Sequence, residues 1–398
     1  SKWSPAMTFA ILPDQVLVSC VLMRGGTSKG LYFHDKDLPV EKDERDRFLM
    51  RVMGTPDLMQ IDGLGGSRLV TSKIAIVRPS NRPDADIDYT FAQVDIEREL
   101  IGYDGNCGNI SSGVGPFAID EGLIDAIEPF TVVRIYNTNT GKILVARVPV
   151  AGGKARVIGD CAIAGVPGTG AEILMDFSGT VGAKTGRLLP TGNVVDQLTL
   201  IDGRTIEITI ADAANPCVFI TANSLGLDGT ELPTAVSGNE RLIATIGEIQ
   251  SKVGQMIGMW PDWRRVHLPG VPLFVMVAAP TDYVDMNGRK QLAIEHDLCA
   301  RLVFLGKCHE SMAGTGSICT AAASRVSGSV VNKILGPGVS HATTLRIGHP
   351  LGVMGVKVET DDTTEGPEPV FRVLGFARTA RRMMEGNVCV PVDSLNAS

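Results

Sequence analysis

The sequence predicts an α+β fold of two related domains, each a curved β-sheet wrapped around one buried helix. Three observations predict it. Short β-branched runs bounded by Gly, Asn, Asp or Pro recur along the whole chain. Two glycine-led segments, Gly105-Asn-Cys-Gly-Asn-Ile-Ser-Ser-Gly113 and Ala313-Gly-Thr-Gly-Ser-Ile-Cys-Thr320, open into apolar stretches without a polar face, as buried helices do. One order of elements also occurs twice, offset by roughly 200 residues, which is the mark of an internal duplication.

Strands are expected at 15–22, 74–77, 131–136, 143–148, 206–210, 218–221, 273–278 and 355–359. Helices are expected at 42–53, after Cys107, at 240–257, at 296–304 and after Gly316. In the repeat, 16–38 reads strand, turn, short strand and an acidic, Leu-containing segment. Residues 206–227 follow the same order, with Ala213-Ala-Asn-Pro-Cys217 as the turn. The first glycine-led helix is followed by Arg134-Ile135 and a strand, the second by Arg346-Ile347 and a strand. The expected units are 8–187 and 188–370, joined by an ordered linker between Gly165 and Gly192. A strand at 371–392 is left open as the completion of the first unit. The acidic stretch 361–368 reads as a solvated hairpin loop.

A chain of 398 residues is too long for one compact core, which favours two domains. A net charge of −7 argues against a general nucleic-acid surface, yet leaves room for an anionic substrate in a local positive field. No apolar run reaches the ~18 residues that span a membrane. The eight cysteines are scattered without a C-x-x-C pair, so neither a zinc ribbon nor a disulfide framework is expected, and a reducing cytoplasm suits them. No metal site and no cofactor motif is read.

The glycine-led segments carry the chemistry. A helix start exposes unpaired N–H groups and a partial positive charge, so it suits a carboxylate or phosphate. Two such starts suggest a small polyanion clamped between the halves. Cys107 sits at the first start, and helix starts favour the reactive thiolate form of cysteine. Asn106, Gly108 and Asn109 around it fit an open, anion-facing loop. Met23-Arg-Gly-Gly-Thr-Ser-Lys-Gly30 is rich in donors: Arg24, Thr27, Ser28 and Lys29 are placed to close over an anion. Lys73 opens a β-branched strand after a glycine-rich loop and is the candidate buried base. His309 precedes the second helix start and His349 follows the second Arg-Ile; Arg346 is counted with the anion-binding set. Trp260-Pro-Asp-Trp-Arg-Arg265 reads as a surface loop, with a lid as its alternative.

The segments 23–30, 60–66, 71–73, 105–109, 189–193, 214–216 and 378–382, in this order, resemble the PrpF family. That family includes methylaconitate isomerases and methylitaconate Δ-isomerase, and it resembles diaminopimelate epimerase in fold. The resemblance implies Lys73 as the proton-transfer base, Cys107 as its partner, Ser28 and His309 in the substrate pocket, and Asn109, Gly314, Thr315 and Gly316 on substrate carboxylates. It also implies a cofactor-independent allylic 1,3-proton shift in an unsaturated di- or tricarboxylate. A homodimer or homotetramer is expected. A keto–enol tautomerase of the oxalomesaconate type and a non-catalytic accessory of an aconitase-like dehydratase are the rival expectations. The epimerases carry a cysteine at both helix starts. Here the second place holds Ala313, which disfavours a two-thiol epimerase.

Overall fold

A computed structural model describes residues 10–361 and 365–396. Residues 8 and 9 of the expected first unit and 362–364 of the expected acidic loop lie outside them. Glu368, on the described side of that loop, is tied down by Arg187 at 2.6 Å.

The first row has seven main strands: β1 (Gln15–Gly25), β2 (Ser28–His34), β3 (Lys73–Pro79), β4 (Ile87–Val94), β5 (Phe130–Asn137), β6 (Lys142–Ala151) and β7 (Ile173–Asp176). Along this row the pairings run antiparallel, parallel, antiparallel, parallel, antiparallel and antiparallel. A second row follows: β8 (Thr205–Ala213), β9 (Asn215–Thr221), β10 (Leu273–Ala278), β11 (Leu298–Phe304), β12 (Thr344–His349), β13 (Gly352–Thr360) and β14 (Phe371–Arg378). Its pairings repeat the same series. Strand β14 also pairs with β7, which joins the rows, and β15 (Ala380–Pro391) lies along β1.

Parallel neighbours need long crossovers, and helices supply them. Helix α1 (Lys42–Met53) links β2 to β3, and α2 (Gly108–Asp120) lies between β4 and β5. Helix α3 (Glu240–Met256) links β9 to β10, and α4 (Gly314–Ser324) lies between β11 and β12. The outer helices are amphipathic. Phe48, Leu49, Val52 and Met53 of α1 pack on Leu31 and Ile74; Leu242, Ile246, Ile249 and Val253 of α3 pack on Val218 and Phe274. The inner helices are buried all round, and both belong to one large core. There Ile110, Val114 and Phe117 meet Val133, Ile135 and Val148, while Ile318 and Ala322 meet Leu302, Ile347 and Val356. Each large apolar side chain removed from water contributes about 1.5–3 kcal/mol.

The helix expected at 296–304 is strand β11. All seven of its residues are buried, and it lies between β10 and β12. A short apolar run buried on both faces has no distinguishing period. Strand β4 was not expected, because Asp88, Thr90 and Gln93 interrupt its apolar pattern. Among the described residues, no helix is long and apolar enough to cross a membrane, and no three His, Cys, Asp or Glu side chains gather as a metal-holding group.

Candidate active site

The N-termini of α2 and α4 meet end to end. A Cβ built on Gly108 would lie 2.7 Å from Gly314 C and Thr315 N, and one built on Gly314 would lie 2.9 Å from Gly108. Only glycine permits this approach. Two positive helix ends in contact repel each other, so an anion beside them relieves an electrostatic cost.

Turns from opposite halves lock the junction. Asn215, which opens β9 just after the β8–β9 turn, accepts from Asn106 N at 2.9 Å and donates to Asn106 O at 2.6 Å and Thr315 Oγ1 at 2.8 Å. Thr27, in the β1–β2 turn, donates its N–H to Asn109 Oδ1 at 3.2 Å and shares a 2.7 Å hydrogen bond with Ser311. Each half thus grips the helix start of the other.

Cys107 is the N-cap of α2. Its Sγ accepts from Ile110 N at 3.4 Å, so a helix N–H points at the sulfur. Asn106 Oδ1 accepts from Cys107 N at 2.7 Å and fixes the residue's backbone. At the matching position of α4, Ala313 offers no side-chain cap. Cys319 lies inside that helix and donates to Ala211 O at 3.3 Å, so it does not replace the missing thiol.

Lys73 opens β3 and is buried, with 3% exposure. Its Nζ donates to Gln93 Oε1 at 2.8 Å and lies 5.2 Å from the Phe91 ring centre and 5.4 Å from that of Phe304. The glycine-rich loop before it has a structural task. Gln60 Oε1 accepts from Ser67 N at 2.8 Å and Ser72 Oγ at 3.0 Å, and a Cβ on Gly65 would lie 2.2 Å from that oxygen. The loop fixes Ser72, and Ser72 fixes where Lys73 enters the sheet.

His309 is fully enclosed, and its Nδ1 accepts from Ser311 N at 3.0 Å, which assigns the ring proton to Nε2. Burial, aided by the charge of Lys73, pushes its pKa down to about 3. It is a neutral donor at physiological pH.

Lys73, Asn106, Cys107, His309 and Thr315 line one cavity of about 500 Å³. Gln93 and Asn215, which sequence reading did not select for the site, line it as well. Its apolar wall includes Phe304, Leu268, Val271 and Trp260. Trp260 donates its indole N–H to Ser251 O at 2.8 Å and packs against Gly254, so the expected surface loop contributes a wall residue.

Other predicted residues stand outside that lining. Arg24 donates to the Gly26 and Thr379 carbonyls at 2.9 and 3.0 Å and braces the β1 turn. Lys29 lies opposite Arg24 in the β1–β2 register. Ser28 is buried and its Oγ has no hydrogen-bond partner among the described residues. Asn109 accepts from Arg378 Nε at 2.9 Å and serves as a joint. Gly316 gives room to Leu302, whose Cδ1 would lie 2.4 Å from a Cβ. Arg346 is not brought to the cavity: Asp297 holds it at 2.9 Å on the outer face, its side chain 44% exposed. Arg134 makes the equivalent pair with Asp86 at 3.0 Å. The repeated Arg-Ile is therefore a feature of the frame. His349 is buried and accepts from Leu351 N at 3.1 Å, as part of a turn.

The sequence model of the family described as PrpF protein matches residues 15–391. The chain belongs to the PrpF family. The 3-methylitaconate isomerase of Eubacterium barkeri is 48% identical over 383 residues, covering 95% of this chain and 98% of that protein. A crystal structure of methylitaconate-delta-isomerase superposes with a TM-score of 0.75 at 47% identity, covering 97% and 98% of the two chains. A hydroxyproline epimerase from Agrobacterium vitis shares the fold at 14% identity, with a TM-score of 0.56 and coverage of 95% and 93%. The PrpF fold seen here is the diaminopimelate epimerase-like α+β fold, with its inner helices meeting at the centre.

Proposed function

We propose that the protein is an isomerase that shifts a double bond in a methyl-substituted unsaturated dicarboxylate of the methylitaconate type. The observation that carries this is the single cavity shared by a buried amine, a helix-capping thiol and two abutting helix starts. The similarity to 3-methylitaconate isomerase supports the substrate class.

Lys73, as the neutral amine, takes the proton from the carbon that lies next to both the double bond and a carboxylate. The C–H electron pair becomes the new C=C bond. The old π pair moves toward the terminal methylidene carbon, and the negative charge spreads onto a carboxylate as a dienolate. N–H groups at the starts of α2 and α4 stabilise that charge as it develops, and His309 adds a neutral donor. The terminal carbon then takes a proton from the Lys73 ammonium or the Cys107 thiol and becomes a methyl group. Atoms and charge balance within the substrate and these two side chains. Eight free cysteines fit a working place in the cytoplasm. A homodimer or homotetramer is the proposed assembly.

Proton NMR of 3-methylitaconate in deuterated buffer tests the proposal. The C3–H and methylidene signals should fade as a deuterium-bearing methyl grows. Lys73→Ala should slow this by about 10²–10⁴-fold. Parent-rate exchange by Lys73→Ala would remove the base assignment, and an inert parent enzyme would remove the function.

A further inference from the structure

Lys73 is held by an amide where a carboxylate is the common partner of a buried amine. Gln93 directs Oε1 at Nζ from 2.8 Å. Its orientation is fixed from behind, because Nε2 donates to the carbonyls of Leu69, Ser72 and Val94 at 3.1, 3.3 and 3.2 Å. Its two N–H groups are shared among these three carbonyls, and a flip would turn the amide oxygen onto them. Among the described residues no carboxylate forms an ion pair with Lys73. Four more of the cavity's charged and titratable groups, and His309, are engaged or neutral. Asp95 is turned to Arg98 at 2.7 Å, Lys42 and Tyr103 both bond Asp46, His309 is neutral, and Cys107 is bonded by the helix. Asp104 and His267 line it too, both on its exposed side, and neither is paired with Lys73.

An amide oxygen can accept from an ammonium and from a neutral amine, and it favours the ammonium far less than a carboxylate does. A carboxylate at the same place would favour the ammonium and disable the base. We propose that Gln93 is a positioning residue that aims the Lys73 amine in both protonation states while leaving it free to gain and lose a proton. The inference rests on the proposed role of Lys73 as the base.

The test is the pH profile of kcat/KM, measured by deuterium incorporation, for the parent, Gln93→Glu and Gln93→Met. Gln93→Glu should move the acid limb to higher pH by about 1–3 units and regain activity in alkaline buffer. Its second oxygen faces three carbonyls, so thermal unfolding is measured alongside. Gln93→Met removes the acceptor at similar volume. It should lower kcat about tenfold or more while KM stays within about threefold. A folded Gln93→Glu with an unmoved acid limb overturns the inference alone. If Gln93→Glu does not fold, a Gln93→Met enzyme with parental kcat overturns it. A parent enzyme that moves no substrate proton overturns both the function and this inference.

Discussion

The two halves of the molecule share one frame and carry opposite chemistry. At the first helix start stands Cys107, with a helix N–H on its sulfur; at the second stands Ala313, with nothing to cap. The first residue of β3 is Lys73 and its cross-strand neighbour is Gln93. The first residue of β10 is Leu273, and β11 ends at Phe304. All four side chains line the same cavity. At these matching positions one half supplies an amine held by an amide and the other an apolar floor, while His309 and Thr315 of the second half add neutral polar groups. A proton shift along a substrate suits reactive groups drawn from one side. Inversion at a single carbon needs acid and base on opposite faces, which is the arrangement that alanine at 313 removes.

The strongest way to break this comparison is to exchange the helix-start residues. Cys107→Ser should lower kcat by about 10²–10³-fold, and adding Ala313→Cys should not restore it. Rescue in steady-state kinetics would make the two helix starts interchangeable. A smaller and symmetric effect is expected where the halves are alike. Gly108→Ala and Gly314→Ala each press a methyl into the opposing backbone, and each should cost about 1–3 kcal/mol of stability. Denaturant titration checks whether the two losses match. Least is expected of the outer ion pairs. Arg346→Ala should shift the melting temperature by less than about 3 °C and leave KM at the parent value, because an exposed pair contributes little. A clear rise in KM would place Arg346 with the substrate after all.

The inner helices and their glycine starts were legible in sequence, because helices apolar all round have one reading: burial. The outer helices were legible through their periodicity. Strand β11 was not, since seven consecutive buried residues erase the alternation that marks a half-exposed strand. Lys73, Cys107 and His309 could be singled out because their types and local settings are unusual. Gln93 and Asn215 could not. A glutamine in a mixed strand and an asparagine at a strand start gain meaning only from partners on other elements, such as Nζ of Lys73 and the backbone of Asn106. Arg346 failed for the converse reason. Its repetition in sequence was real, but it recorded the shared frame, in which Arg134 and Arg346 each bind the acidic residue just before a neighbouring strand.

Strand β14 completes both rows, through β13 on one edge and β7 on the other, and β15 then covers β1. During synthesis the opening half therefore emerges with two of its strand edges bare and must remain so until nearly the whole polypeptide has left the ribosome. Such long-delayed pairings slow folding and expose sticky edges in the meantime. The last two strands tie the halves together, and recombining halves between relatives would have to carry the tail along with the front.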